Sequence, residues 1–154
     1  MAITIYVDAD ACPVKEEILK VAYRHNIETF IVSNAWLRMD VGPLVKKIVV
    51  SEGTDEADNW IADHIGEGDI AITADIPLAS RCLEKSAFVL GPTGKEFTDD
   101  NIGIALVVRD IRSEQREMGE GKKGQMRGHY NAAFSKSDRS NFLQQLERLI
   151  QKLK

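Results

Sequence analysis

The sequence has few of the residues that mark disulfide-rich, zinc-binding or membrane proteins. Its 154 residues include 2 cysteines, Cys12 and Cys82, too few and too far apart for a disulfide framework or a zinc site. No apolar run approaches the ~20 residues that a membrane span requires. The first four residues lack the basic start of a signal peptide. We therefore expect a cytoplasmic protein with reduced thiols and no membrane contact.

Length and charge predict one acidic domain with a basic end. A chain of 154 residues predicts a single domain over 1–154, and the net charge of −4 argues against a generic polyanion binder. Residues 1–108 carry 9 basic and 18 acidic side chains, whereas residues 109–154 carry 11 and 6. This contrast favours a metal site in the body and a C-terminal third that grips a phosphate backbone. Two solvated faces of different sign are the simpler alternative.

The order of apolar runs predicts an α/β fold. Several runs are nearly continuous in apolar residues, as in strands covered on both faces, and helical patterns alternate with them, as in βαβ units. We expect a three-layer domain with a mainly parallel sheet of about five strands and its first strand near the centre. The strand candidates are residues 3–7, 28–33, 48–50, 69–73, 88–90 and 104–108.

Local signals predict where the helices begin. Pro13 and Pro77 suit the first turns of two helices, where a missing N–H costs nothing. Thr54 is a candidate N-cap, and Ser137 is the candidate cap of a final amphipathic helix over 137–154.

The composition of residues 113–136 predicts a flexible, basic, glycine-rich loop. The segment lacks apolar periodicity and is too long for an ordinary connection. Lys122, Lys123 and Arg127 within it are candidates for holding nucleic-acid phosphates. A solvated connection to the last helix is the alternative.

Carboxylates follow two of the predicted strands, and a third group opens a helix. Asp8 and Asp10 follow the first strand, Asp75 follows the fourth, and Asp58, with Asp55 as a weaker alternative, lies at the start of a helix. Open parallel sheets bind ligands at this edge, and Mg²⁺ or Mn²⁺ prefers carboxylate, water and phosphate oxygens. Each residue has a structural alternative as a helix cap or dipole partner. Together they predict a divalent-metal site for phosphate chemistry.

Other polar and aromatic residues are candidates for substrate binding. A parallel sheet would place Ser33 and Asn34, which follow the second strand, near Asp8, although Ser-Asn is also ordinary turn chemistry. Arg81 is a candidate for a phosphate contact, or else an exposed helix charge. Trp36 is either a core or rim aromatic or a surface on which a base stacks.

Short acidic motifs resemble those of PIN-like nuclease domains. Ala57-Asp58 at a helix start and the strand segment ending Thr73-Ala74-Asp75 are similar to the middle of such a domain. In that superfamily acidic residues end the first strand, begin a mid-chain helix and follow a strand ending in Thr-x-Asp. The resemblance therefore implies that Asp8, Asp58 and Asp75 are catalytic and hold the metal. A fourth acidic residue often follows the third; here only a loop residue, Asp99 or Asp100, is a candidate.

Longer stretches resemble the YaiI/YqxD family of uncharacterised bacterial proteins over nearly the whole chain. These stretches are DADACP at 8–13, DNWI at 58–61, TADIPLA at 73–79 and SDRSNF at 137–142.

Three functions remain open at this point. The first is a Mg²⁺- or Mn²⁺-dependent nuclease that acts on RNA or single-stranded nucleic acid. The second is a haloacid-dehalogenase-type phosphatase that uses Asp8 as nucleophile and Asp10 as acid. Against it, Ala11 and Cys12 depart from that motif, and Asp99 follows a polar stretch where that fold needs an apolar strand. The third is a non-catalytic metal- or RNA-binding module.

Overall fold

The computed structural model describes residues 2–36, 38, 42–53, 55–118 and 134–154, with the exception of the side chains at 11, 109–110 and 112–118. These residues form six strands and five α helices. The strands are β1 (Thr4–Asp8), β2 (Glu28–Ser33), β3 (Val45–Val49), β4 (Ile70–Ile72), β5 (Phe88–Leu90) and β6 (Glu96–Phe97). The helices are α1 (Lys15–His25), α2 (Glu56–His64), α3 (Ile76–Glu84), α4 (Asp99–Met118) and α5 (Lys136–Leu153).

The strands form one sheet in the order β3-β2-β1-β4-β5-β6. Strands β1 to β5 run parallel, and β6 pairs antiparallel with β5. In the sheet, Val7 of β1 is aligned with Ile31 of β2 on one side and with Ile72 of β4 on the other. The predicted, mainly parallel α/β sheet is therefore confirmed. The chain builds outward from β1 to β3 on one side and then crosses to β4 on the other, so the strand order reverses between β1 and β4.

Apolar side chains cover both faces of the sheet, and the fold has the three layers that were predicted. Successive residues of a strand point to opposite faces. Val7 belongs to a core cluster with Phe142 of α5, whereas Tyr6 belongs to a second cluster with Ile61 of α2 and Leu78 of α3. Each large apolar side chain that is fully buried contributes roughly 1.5–3 kcal/mol. These two cores hold the helices against the sheet and fix the strand ends.

Two of the helix starts differ from the predictions. Pro77 lies in the first turn of α3, as predicted, but Pro13 lies in the turn before α1. Helix α5 begins with a capping box, in which the Ser135 hydroxyl accepts the Asp138 N–H at 3.0 Å and the Asp138 carboxylate accepts the Ser135 N–H at 3.1 Å. Ser135 is therefore the cap of α5, and Ser137 lies inside the helix. The predicted cap Thr54 lies outside the described residues.

Residues 104–108 are helical, and their prediction as a strand was wrong. They lie within α4, where Ile102 and Leu106, one turn apart, pack against the second core cluster. Ile104 and Val107 are 69% and 57% exposed. A run of consecutive apolar residues suggests a strand that is buried on both faces. In α4 the same run is helical, so its side chains point in all directions around the helix and some of them are exposed.

The first residues of the predicted loop belong to helix α4. Residues 113–118 form its last turns, whereas residues 119–133 lie outside the described part of the chain. None of the described helices is long and apolar enough to cross a membrane.

Candidate functional site

The acidic residues meet where the strand order of the sheet reverses. Asp8 ends β1, and Thr73 follows β4, whose Ile72 is aligned with Val7 of β1. In open α/β sheets, ligands bind in the crevice that such a reversal leaves at the carboxyl ends of the strands. Here the crevice is a cavity of about 330 Å³. The described residues that line it are Asp8, Asp10, Cys12, Gly53, Ala57, Asp58, Ile72, Thr73, Ala74, Asp75 and Pro92.

Asp8 is held at the end of β1 by a hydrogen bond across to the neighbouring strand. The hydroxyl of Thr73 donates to Oδ2 of Asp8 at 2.8 Å. Burial raises the pKa of Asp8, and the charges of Asp75 and Asp10 raise it further, whereas the bond from Thr73 opposes the rise. Thr73 therefore orients the Asp8 carboxylate. The raised pKa means that the ionised form of Asp8 is less favourable than in water unless a positive charge lies nearby.

Asp75 caps α3 and lines the cavity at the same time. Its Oδ1 accepts the backbone N–H of Leu78 at 2.8 Å, and its own N–H donates to the Thr73 hydroxyl at 3.0 Å. The capping role proposed as an alternative for Asp75 is thus present in the structure. The second carboxylate oxygen accepts no hydrogen bond from any residue that the structure describes, so the cap leaves one oxygen for a ligand.

Asp10 is fixed by the end of β2. The Ser33 hydroxyl donates to Oδ1 of Asp10 at 2.6 Å, and the Asn34 N–H donates to the same oxygen at 3.2 Å. The Ser33 oxygen in turn accepts the Ala35 N–H at 3.1 Å. Ser33 is 2% exposed. The structure therefore brings Ser33 and Asn34 to the site, as their position after β2 predicted, but there they position a carboxylate.

Asp58 adds a carboxylate to the cavity from helix α2. It lies in the first turn of α2 and lines the cavity. Its pKa is raised to about 7, first by burial and then by the charges of Asp75, Asp8 and Asp55, whereas Arg81 lowers it. The charges at the end of β1 and in the β4–α3 turn therefore act on the Asp58 carboxylate of α2.

The remaining predicted residues lie at the margin of this group or beyond it. Arg81 donates to the Asn59 side chain at 2.8 Å, which holds its guanidinium against α2 near Asp58. Asp99 and Asp100 begin α4 and are exposed, and neither is among the described residues that line the cavity. Lys122, Lys123 and Arg127 lie outside the described residues.

Sequence patterns identified Thr73 only as part of a motif, not as the residue that bonds both the Asp8 carboxylate and the Asp75 backbone N–H. Nothing in the sequence pattern indicated that Pro92, from the turn between β5 and β6, would line the cavity. Cys12 also lines it, and burial raises the pKa of its thiol, so the thiol is neutral and a poor nucleophile.

The carboxylates suit a hydrated cation better than a bare one. Among residues 2–36, 42–53, 55–118 and 134–154, no three acidic, histidine or cysteine side chains converge closely enough to hold a bare metal ion. Mg²⁺, however, keeps several waters and is usually bound through one or two carboxylates. Asp8 and Asp75 each commit one oxygen to a hydrogen bond within the protein. Their second oxygens and the Asp58 carboxylate fit such an ion.

The fold and the cavity define the class: a three-layer α/β protein with an acidic crevice at the reversal of its sheet. Within that class the chain belongs to the YaiI/YqxD family, because residues 6–152 match the family described as "Uncharacterized BCR, YaiI/YqxD family". The similarity extends over whole proteins. A UPF0178 protein of Agrobacterium fabrum is 54% identical over 150 residues, which cover 97% of this chain and 94% of that protein. A UPF0178 protein of Caulobacter vibrioides is 48% identical over 154 residues, 100% of this chain and 97% of that protein. No solved structure matches the chain.

Proposed function

We propose that the protein is a Mg²⁺- or Mn²⁺-dependent phosphodiesterase that cleaves RNA or single-stranded nucleic acid. The observation that carries this proposal is the set of four aspartates, Asp8, Asp10, Asp58 and Asp75, that lines one cavity at the sheet reversal. The charges of Asp75 and Asp10 raise the pKa of Asp8, and those of Asp75 and Asp8 raise the pKa of Asp58, so ionisation of Asp8 and Asp58 is unfavourable without a counter-charge. A divalent cation would supply that counter-charge, which explains why the carboxylates are grouped.

The metal ligands are proposed to come from three elements. Asp8 and Asp75 offer one oxygen each, Asp58 adds a carboxylate from α2, and Asp10 is positioned by Ser33 to bind a metal-bound water. When bound, the ion orients a phosphodiester, lowers the pKa of an attacking water and neutralises the leaving oxygen. The side chains themselves hold the ion and its water shell in place.

The positions of the acidic residues support a PIN-like assignment of the site. Asp8 ends the first strand, Asp58 lies in the first turn of a mid-chain helix, and Asp75 follows the strand that ends beside Thr73. These are the three positions that the resemblance implied. We propose them as the catalytic residues.

Contacts at the start of α5 support a nucleic acid as the substrate. Asn141 donates to the Thr93 carbonyl at 2.8 Å, next to Pro92 of the cavity, and Arg139 contacts the Pro13 carbonyl at 3.5 Å. The start of α5 therefore lies close to the turn that carries Pro92 of the cavity. We propose that Lys122, Lys123 and Arg127 of the basic segment that precedes α5 hold the phosphate backbone beside the metal, with Arg81 and Asn34 as further contacts.

The phosphatase alternative has less support. A phosphatase that uses Asp8 as nucleophile needs a further acidic pair at the same edge of the sheet. Asp99 and Asp100 instead follow β6, which runs antiparallel to β5 and so ends at the opposite edge. Trapping with a phosphate ester separates the two proposals, because only the phosphatase forms an aspartyl-phosphate on Asp8.

A cleavage assay tests the proposed function. Labelled single-stranded RNA and DNA of mixed sequence are incubated with the protein and Mn²⁺ or Mg²⁺. We expect metal-dependent cleavage that Asp8→Asn and Asp75→Asn reduce by at least about 100-fold, the scale seen when a group that stabilises transition-state charge is removed. Asp63→Asn is the matched control, because Asp63 is an exposed aspartate at the other end of α2. If metal-dependent binding occurs without cleavage, the protein is a non-catalytic module.

A further inference from the structure

A tryptophan stands exposed beside the cavity, on the same edge of the sheet. Trp36 is 67% exposed and follows Ser33, the last residue of β2, by three positions. Three residues span at most about 11 Å, so Trp36 lies close to the hydrogen bond between Ser33 and Asp10. Single exposed apolar side chains are common, and exposure alone would carry no argument.

The backbone that leads to Trp36 is anchored to the candidate site. The Asn34 N–H binds the Asp10 carboxylate, and the Ala35 N–H binds the Ser33 hydroxyl. These bonds fix the two residues immediately before Trp36. Its position is thereby tied to that of an aspartate that lines the cavity, which is the kind of pre-organisation that lowers the cost of binding.

A lysine contacts one face of the Trp36 ring. The Lys47 ammonium lies 4.2 Å from the ring centroid, in the range of a cation–π interaction. Lys47 lies on β3, where it is aligned with Ile31 of β2. The contact orients the indole but leaves most of its surface open, as the exposure of Trp36 shows. An open aromatic face is a surface on which a base of any type can stack.

The position of Trp36 along the chain limits its distance from the cavity. Trp36 follows Ser33 by three residues, which span at most about 11 Å of backbone, and the Ser33 hydroxyl bonds Asp10, which lines the cavity. A stacked strand of nucleic acid rises about 3.4 Å per nucleotide. A base on Trp36 would therefore lie a few nucleotides from a phosphate held in the cavity.

We infer that Trp36 is a base-stacking residue that positions single-stranded nucleic acid beside the acidic cavity. The inference rests on the proposed function and specifies it, because it makes bases, and not the phosphate backbone alone, part of what is recognised. Because stacking accepts any base, the site should not discriminate strongly among sequences.

The test compares strands with and without bases. Fluorescence anisotropy in Mg²⁺ measures the affinity for a six-nucleotide phosphorothioate oligothymidylate, which resists cleavage, and for an abasic strand of equal length and charge. We expect the parent protein to bind the base-bearing strand at least about fivefold more tightly, the lower end of the effect of one aromatic–base stack. Trp36→Ala should abolish this preference and leave the affinity for the abasic strand unchanged. Trp36→Phe should retain most of the preference.

A control variant shows whether the loss of any exposed apolar side chain has the same effect. Ile104→Ala, which removes an equally exposed apolar side chain from α4, should change neither affinity. An unaltered base preference in Trp36→Ala, with metal-dependent cleavage intact, would overturn the role of Trp36 and leave the proposed function standing. Binding of neither strand would overturn both.

Discussion

The hydroxyl of Thr73 donates a hydrogen bond of 2.8 Å to the carboxylate of Asp8. The hydroxyl oxygen of Thr73 also accepts the Asp75 N–H at 3.0 Å. One buried side chain thus connects the ends of β1 and β4. The two carboxylates that we propose as the principal metal ligands thus have a common positioning group. Thr73 therefore holds the end of β1 and the residue that begins α3 in a fixed relation.

We predict that Thr73→Val destabilises the protein by about 1 to 3 kcal/mol, because it leaves the Asp75 N–H and one oxygen of Asp8 without their partner. Thr73→Ser keeps the hydroxyl and should cost less, although it loses a methyl group. Urea denaturation of the two variants measures the difference. Equal losses in the two variants would mean that packing of the methyl group, and not the hydrogen bonds, makes Thr73 important.

The pKa of Asp58 predicts a dependence of stability on pH in buffer with EDTA. The folded pKa of about 7 lies above the value of about 3.9 for an unfolded chain. A raised carboxyl pKa means that protonation favours the folded state. This contribution is fully present below about pH 4 and is lost as the pH rises through about 7.

Asp58→Asn removes that dependence. Above pH 7 the variant should be more stable than the parent by about 1 to 2 kcal/mol, because each pKa unit is worth about 1.4 kcal/mol and solvent screens this partly exposed group. Near pH 4 the two should have similar stability. Thermal unfolding across this pH range checks the prediction, with Asp63→Asn as the control that should follow the parent. A constant difference at every pH would contradict it.

Metal binding should stabilise the parent protein more than a variant of the cluster. In metal-free buffer Asp8→Asn should unfold at a higher temperature than the parent, because it removes carboxylate repulsion. Saturating Mg²⁺ or Mn²⁺ should then raise the melting temperature of the parent by several degrees, since a ligand at about 100 times its Kd adds about 2.7 kcal/mol. An equal response of Asp8→Asn would exclude Asp8 as a ligand.

The basic segment should determine how nucleic-acid binding depends on salt. Replacing Lys122, Lys123 and Arg127 by alanine should lower the slope of log affinity against log salt by about 2 for single strands, at about 0.7 per phosphate contact. Lys152→Ala, an exposed charge near the end of α5, should leave the slope unchanged. If the triple variant keeps the slope of the parent, the segment is a connector, and a small phosphate ester becomes the better candidate substrate.

The parallel sheet could be predicted because its strands carry their own signal. Strands β2 and β5 are short apolar runs bounded by turns, and the structure gives them the predicted bounds. Once those strands are parallel, their carboxyl ends must meet, which is why the grouping of Asp8 and Asp75 followed from sequence. Helix α4 gave no such signal, because Ile104 and Val107 are apolar without being buried.

The contacts inside the site could not be predicted from local sequence. The partner of Asp10 is Ser33, 23 positions away, and the partner of Asp8 is Thr73, 65 positions away. Such bonds depend on strand register, which sequence spacing does not determine. The N-cap of α5 was ambiguous even locally, because Ser135 and Ser137 both precede apolar residues at helical spacing. The structure selects Ser135, whose reciprocal hydrogen bonds with Asp138 form a capping box.

The most direct test of a divalent cation at the sheet reversal is the anomalous diffraction of a crystal soaked in Mn²⁺. The expected result is a peak in the cavity, with oxygens of Asp8 and Asp75 either at direct coordination distance, about 2.1 Å as for Mg²⁺, or one water further away. Asp58 should face the same peak, and the peak should disappear in Asp8→Asn crystals. A cavity without a peak at saturating Mn²⁺, or a peak only at other carboxylates, would contradict the proposed metal site.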